Sequence, residues 1–182
     1  SEVAAINMAY GAACTGSRVM VSSSSPGMSL MTEGLSYIAG TEVPLVILSV
    51  MRAGPGLGNI APAQADYYQM VKPGGHGDYR HIVLAPCNIQ ESVDLTVRAF
   101  DLAEKYRMIA VVLIDGAIGQ LMEPAELPPY RDIPKYRPEW AIRGAFGREP
   151  KVLSSFDLDP HGLERMSLRR FKTWQKVETT EI

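Results

Sequence analysis

Cysteine is nearly absent. The 182 residues hold two, Cys14 and Cys87, far apart. With no C-x-x-C pair, these thiols alone build neither a structural zinc site nor an iron–sulfur cluster. Such sparse use suits a reducing compartment, the cytoplasm, with both thiols as small buried apolar groups. The three histidines are scattered, and 18 basic against 20 acidic residues leave a net charge of −2. That lacks the basic surplus of a general nucleic-acid binder. The longest apolar run, Leu45 to Met51, is broken by Ser49 and is far too short to span a bilayer. A signal peptide is not expected before it. Neither nucleic acid nor membrane is therefore expected as a partner. The Gly-x-Ser-x-Gly elbow, the H-E-x-x-H pair and the Walker loop are also missing. The chain starts at Ser1 and runs straight into a patterned helix, which reads as an internal piece of a longer protein. What remains is 46% apolar and 21% charged, the composition of one globular domain with room for an appendage.

The pattern along the chain predicts strands alternating with helices. A helix is expected over residues 1–13, with Ser1 as N-cap, Glu2 in the first turn and Ala4, Ala5, Met8 and Ala12 as its apolar set. A short strand, 18–22, leads into Ser22-Ser23-Ser24-Ser25-Pro26-Gly27. Pro26 then opens a second helix to Gly40. Residues 44–51 are a near-continuous β-rich run, as in strands buried on both faces. Arg52 and the glycine-rich stretch Ala53 to Asn59 follow it. Further strands are expected at 81–85 and 109–114, with a helix between them. That helix is opened by Asn88 as N-cap with Glu91 at N3. From 122 to 150 proline is dense, which reads as an extended arm or linker. A solvated basic helix covers about 165–176. The expected fold is α/β, a mostly parallel sheet with helices on both faces. Residues 1–121 form the domain, and 122–182 lead toward a second one.

In such sheets ligands bind at the carboxyl ends of the strands, which gathers loops 22–27, 52–59 and 115–120. The glycine loop is G-x-G-x-G with Pro55 inside it, not a dinucleotide fingerprint. Two readings stay open there: a turn needing positive φ, or a loop that aims Arg52 at a carboxylate, which a guanidinium binds bidentately. The serines before a helix N-terminus suit an anion or polar heterocycle, or simple capping. Glu2 by itself reads as compensation of the helix dipole. His76 and Asp78 read as a surface-loop pair.

Three segments together resemble one family: Ser1-Glu2-Val3-Ala4-Ala5-Ile6-Asn7-Met8, Ser23-Ser24-Ser25-Pro26-Gly27 through Gly34, and Val50-Met51-Arg52-Ala53-Gly54-Pro55-Gly56-Leu57-Gly58-Asn59. Gly75-His76-Gly77-Asp78-Tyr79 and Leu84-Ala85-Pro86 extend the match. They are similar to the alpha-type, pyrimidine-binding subunit of the 2-oxoacid:ferredoxin oxidoreductases, nearest to the branched-chain 2-oxoisovalerate type. The likeness is good over about residues 1–125 and looser beyond.

The resemblance implies a thiamine diphosphate enzyme of the pyrimidine-domain fold. It would oxidatively decarboxylate a 2-oxo acid, pass the acyl group to coenzyme A and reduce ferredoxin. Glu2 would be the activating glutamate, hydrogen-bonded to N1′ of the aminopyrimidine. Ser24, Ser25, Pro26 and Gly27 would line the pyrimidine ring. Arg52 would face the substrate carboxylate, and His76 matches a recurrent loop near substrate. The family's upstream Thr-Pro motif, its Gly-Asp-Gly magnesium signature and its cluster cysteines are absent here. The resemblance therefore implies that the cofactor is shared with a beta-type diphosphate-binding chain. Mg2+ and 4Fe-4S clusters are expected on partner chains, among them gamma-type and ferredoxin-like subunits. 2-Oxoglutarate is the alternative substrate. A noncatalytic scaffold and a nonoxidative thiamine-dependent enzyme are the competing functions.

Overall fold

The computed structural model describes residues 1–130 and 138–181. The middle of the expected proline-rich arm, with Pro134, and the last residue lie outside the described residues. Four strands, β1 (Met20–Ser24), β2 (Leu45–Ala53), β4 (Ile82–Leu84) and β5 (Ile109–Asp115), form a parallel sheet in the order β1-β2-β5-β4. A short β3 (Asn59–Pro62) pairs antiparallel with the end of β2. The helices are α1 (Glu2–Cys14), α2 (Ser25–Gly40), α3 (Tyr67–Val71), α4 (Ile89–Tyr106) and α5 (Gly162–Thr180).

The two central strands are apolar on both faces, and each face has its own core. Leu45, Ile47 and Met51 of β2 join Ile109, Val111 and Leu113 of β5 beneath α1 and α2. Val46, Ala110, Val112 and Ile114 point the other way, against Ala99, Leu102, Ala103 and Tyr106 of α4. This is why β2 and β5 read as continuous runs rather than alternating ones.

Local signals account for the helix starts. The Ser1 hydroxyl accepts from Ala4 N at 3.4 Å, and Asn88 Oδ1 accepts from Glu91 N at 2.8 Å. Glu91 does not return the bond to the N-cap amide; its carboxylate accepts from Cys87 N, one residue earlier. Cys87 is exposed in that turn, contrary to the expectation of a buried thiol.

Three expectations about packing are corrected. The buried face of α1 is Ile6, Ala9 and Ala13, whereas Ala4, Met8 and Ala12 are exposed. A helix apolar all round gives no periodic signal to choose a face. The basic helix is longer than expected and not fully solvated. Val177 is buried, and Trp174 packs beside it on the α4 core. Glu181, just beyond α5, accepts from Lys105 Nζ and the Tyr106 hydroxyl of α4. Part of the proline-rich region also docks: Ala141 is buried, Ile142 N donates to Cys14 O at 2.9 Å, and the Arg107 guanidinium lies 5.0 Å from the Trp140 ring centre.

Candidate active site

The parallel register sets the carboxyl ends of three strands side by side, Ser24 opposite Val50 and Met51 opposite Asp115. The loops that follow them therefore share one edge of the sheet, where such folds bind ligands.

Helix α1 crosses α2 at two glycines one heptad apart. A Cβ on Gly34 would sit 2.7 Å from both Cγ atoms of Ile6. A Cβ on Gly27 would meet Ser23 Oγ at 2.1 Å, Glu2 Cγ at 2.9 Å and Glu2 Oε1 at 3.0 Å. Real side chains do not tolerate such approaches, so glycine is required for the helices to meet. The crossing seats the Glu2 carboxylate against Gly27 and Ser23. Glu2 is half-buried, and no hydrogen bond or ion pair to its carboxylate forms among the described residues. The hydroxyl packed against Gly27 belongs to Ser23. Ser24, the last residue of β1, occupies the N-cap position of α2 without making a capping bond, and Pro26 sits in the first turn.

Ser25 is held elsewhere. It is a non-glycine residue with φ 27, and its buried hydroxyl donates to Asp66 Oδ2 at 2.5 Å. The same oxygen accepts from Arg52 N at 3.3 Å. One carboxylate, 9% exposed, thus joins the serine loop to the end of β2. The residues before α3 gave no motif to single it out.

The glycine loop is the turn needing positive φ that the sequence left open as one reading. Gly56 and Gly58 have positive φ, and a Cβ on Gly58 would lie 1.8 Å from Ala53 O. The chain therefore folds back on itself. In that fold the Leu57 carbonyl accepts from Arg52 Nη2 at 3.1 Å, while the buried Arg52 Nε has no partner among the described residues.

His76 is placed apart from this group. It is exposed in the loop before β4, and its carbonyl accepts from Ser36 Oγ at 2.5 Å. Ser36 lies about three turns, roughly 16 Å, beyond Ser25 along α2. Asp78 lies in the same distant loop. Among the described residues, no three His, Cys, Asp or Glu side chains gather as a metal site.

Residues 1–162 match the family described as pyruvate flavodoxin/ferredoxin oxidoreductase, thiamine diphosphate-binding. The chain belongs to that family. The oxidoreductase family includes relatives of two substrate types. The ketoisovalerate oxidoreductase subunit VorB of Methanothermobacter marburgensis is 51% identical over the whole chain and 52% of its own length. The 2-oxoglutarate synthase subunit KorA of Archaeoglobus fulgidus is 43% identical over 74% of this chain and 39% of its own. The chain thus spans about half the length of the curated relatives it matches along its whole length. A solved 2-oxoglutarate:ferredoxin oxidoreductase of Magnetococcus marinus, with 2-oxoglutarate, coenzyme A and succinyl-CoA bound, superposes with a TM-score of 0.80. Its identity is 25%, covering 99% of this chain and 36% of that one. The α/β sheet with helices on both faces is accordingly the fold of this oxidoreductase family.

Proposed function

We propose that this chain is the pyrimidine-binding part of a thiamine diphosphate-dependent 2-oxoacid:ferredoxin oxidoreductase of the cytoplasm. Its substrate would be the branched 2-oxoisovalerate, converted to an acyl-CoA. The observation that carries the reading is the lone Glu2 carboxylate seated on Gly27, where no Cβ has room. The seat fixes a carboxylate that has no partner among the described residues, as the edge of an aminopyrimidine requires.

When bound, thiamine diphosphate supplies the nucleophilic carbon and the electron sink for decarboxylation. Glu2 would hold a proton between its carboxylate and the ring nitrogen N1′, as a general acid–base group does. Ser24, Ser25, Pro26 and Gly27 would bound the ring. Arg52 would take the substrate carboxylate. Its Nη2 is already fixed by Leu57, and its buried Nε has no acceptor among the described residues, a place an anion could fill. His76, remote from these residues, is left out.

The remaining machinery is assigned to partner chains: magnesium and the diphosphate to a beta-type subunit, clusters and ferredoxin contacts to gamma-type and ferredoxin-like subunits. Exposed apolar side chains support a covering partner. Met8 on α1 is 74% exposed, and Leu57 and Ile60, on the strand-end loop and β3, are 81% and 86% exposed.

Replacing Glu2 by Gln in the complete complex is expected to cut coenzyme-A-dependent ferredoxin reduction by about 10²–10⁴-fold, with assembly intact. Full activity of that variant would remove the reading. Whole-chain similarity to the ketoisovalerate oxidoreductase subunit favours the branched substrate. Similarity to the 2-oxoglutarate synthase subunit keeps 2-oxoglutarate as the second reading. Turnover on a panel of 2-oxo acids decides between them.

A further inference from the structure

The tightest constraint at the strand ends comes from a carboxylate that the proposed chemistry does not use. Ser25 adopts φ 27, a conformation that side chains other than glycine rarely hold unless their surroundings impose it. What imposes it here is visible. The Ser25 hydroxyl donates to Asp66 Oδ2 at 2.5 Å, and Arg52 N donates to the same oxygen at 3.3 Å. Hydrogen bonds to an ionised acceptor are the stronger kind, and a buried carboxylate needs them.

The segment that carries Asp66 is itself anchored. Met70 is buried in the core under α1 and α2. The buried His81 imidazole is 3.1 Å, through Nδ1, from the Met70 carbonyl. Gln69 Nε2 donates to Ser29 Oγ at 2.8 Å, one turn of α2 beyond Ser25. Residues 66–71 thus form a clasp over the first turns of α2, with Asp66 at its tip.

We propose that Asp66 is a positioning residue for the reaction. Its carboxylate holds Ser25 in the strained conformation that starts α2, and it ties the loop 24–27 to the backbone of Arg52. The inference rests on the function proposed above. There, loop 24–27 faces the cofactor ring and Arg52 faces the 2-oxo acid. These two regions leave the sheet from different strands, β1 and β2, whose paired register runs only to Ser24 and Val50. Asp66 fixes their separation beyond that point.

The test uses the complete complex and reads the apparent Kd for thiamine diphosphate, the KM for the 2-oxo acid, and the thermal midpoint. Asp66→Ala is expected to raise both constants by about tenfold or more, since small misplacements at a reacting centre are costly. Asp66→Asn, which keeps one oxygen acceptor, is expected to recover most of that loss. Ser25→Ala removes the same bond from the other side, so the double variant should be no worse than Asp66→Ala alone. A residue that only supports folding would lower the midpoint and leave both constants at their original values; that result overturns the inference, as does strict additivity of the double variant. Should Asp66→Ala fail to assemble, Ser25→Ala decides the matter. It deletes a single buried oxygen, and unchanged constants there also overturn the inference. Glu2→Gln separates the two levels. If that variant is inactive while Asp66→Ala keeps both constants, the clasp alone is wrong. If Glu2→Gln is fully active, the underlying function is wrong.

Discussion

A single missing side chain decides where the Glu2 carboxylate stands. Gly27 lets Glu2 approach so closely that a methyl group would overlap Ser23 and Glu2 together. Gly27→Ala is therefore expected to push Glu2 off its seat and to destabilise the chain by about 1–3 kcal/mol, the usual cost of overpacking. The check is a melting curve paired with thiamine diphosphate titration of the complex; unchanged affinity would show that the crossing is loose. Glu2 and Gly27 were both legible in the sequence through the motifs that carry them. Asp66 was not. It stands in the stretch Ala63-Gln64-Ala65-Asp66, with no spacing that marks it, and its partners are 41 and 14 residues away. A residue whose role is set by tertiary neighbours leaves no local trace.

At the scale of elements, the long segments declared themselves and the short ones did not. α2, α4, β2 and β5 follow from Pro26, from the Asn88 cap and from two apolar runs. β3 and α3, of four and five residues, have too few positions for any period to show. Yet α3 carries the clasp, and a buried histidine secures it. Burial pushes the His81 imidazole down from 6.5 to about 4, partly opposed by its bond to the Met70 carbonyl. An unfolded chain takes up that proton near pH 6.5 and the folded one does not. The stability that depends on neutral His81 is thus complete above about pH 6.5 and is lost as pH falls toward 4. The loss amounts to about 3 kcal/mol at most. Thermal midpoints from pH 7 to 4 should fall more steeply for the native protein than for His81→Asn. Parallel curves would remove His81 as the cause.

For the molecule as a whole, the strand order places every proposed functional loop at one edge and leaves α5 to brace the α4 face. The α5 contact was hidden because its apolar positions, Phe171, Trp174 and Val177, lie among basic residues that suggest a solvated helix. Val177 is fully buried against the α4 core. Val177→Ala is expected to cost about 1–3 kcal/mol and to speed proteolysis within residues 138–161 while sparing the parallel sheet. Limited digestion followed by mass analysis reads this directly; an unchanged fragment pattern would mean that α5 braces nothing. The two faces of α1 are the whole-molecule counterpart of the same ambiguity. Its sequence is apolar enough to pack on both sides, and among the described residues only one side packs.

That unspent side has a practical corollary at the bench. Met8, Leu57 and Ile60 give the lone polypeptide an adhesive surface beside the proposed site. Expressed singly, it should clump at concentrations where a co-expressed assembly stays clear.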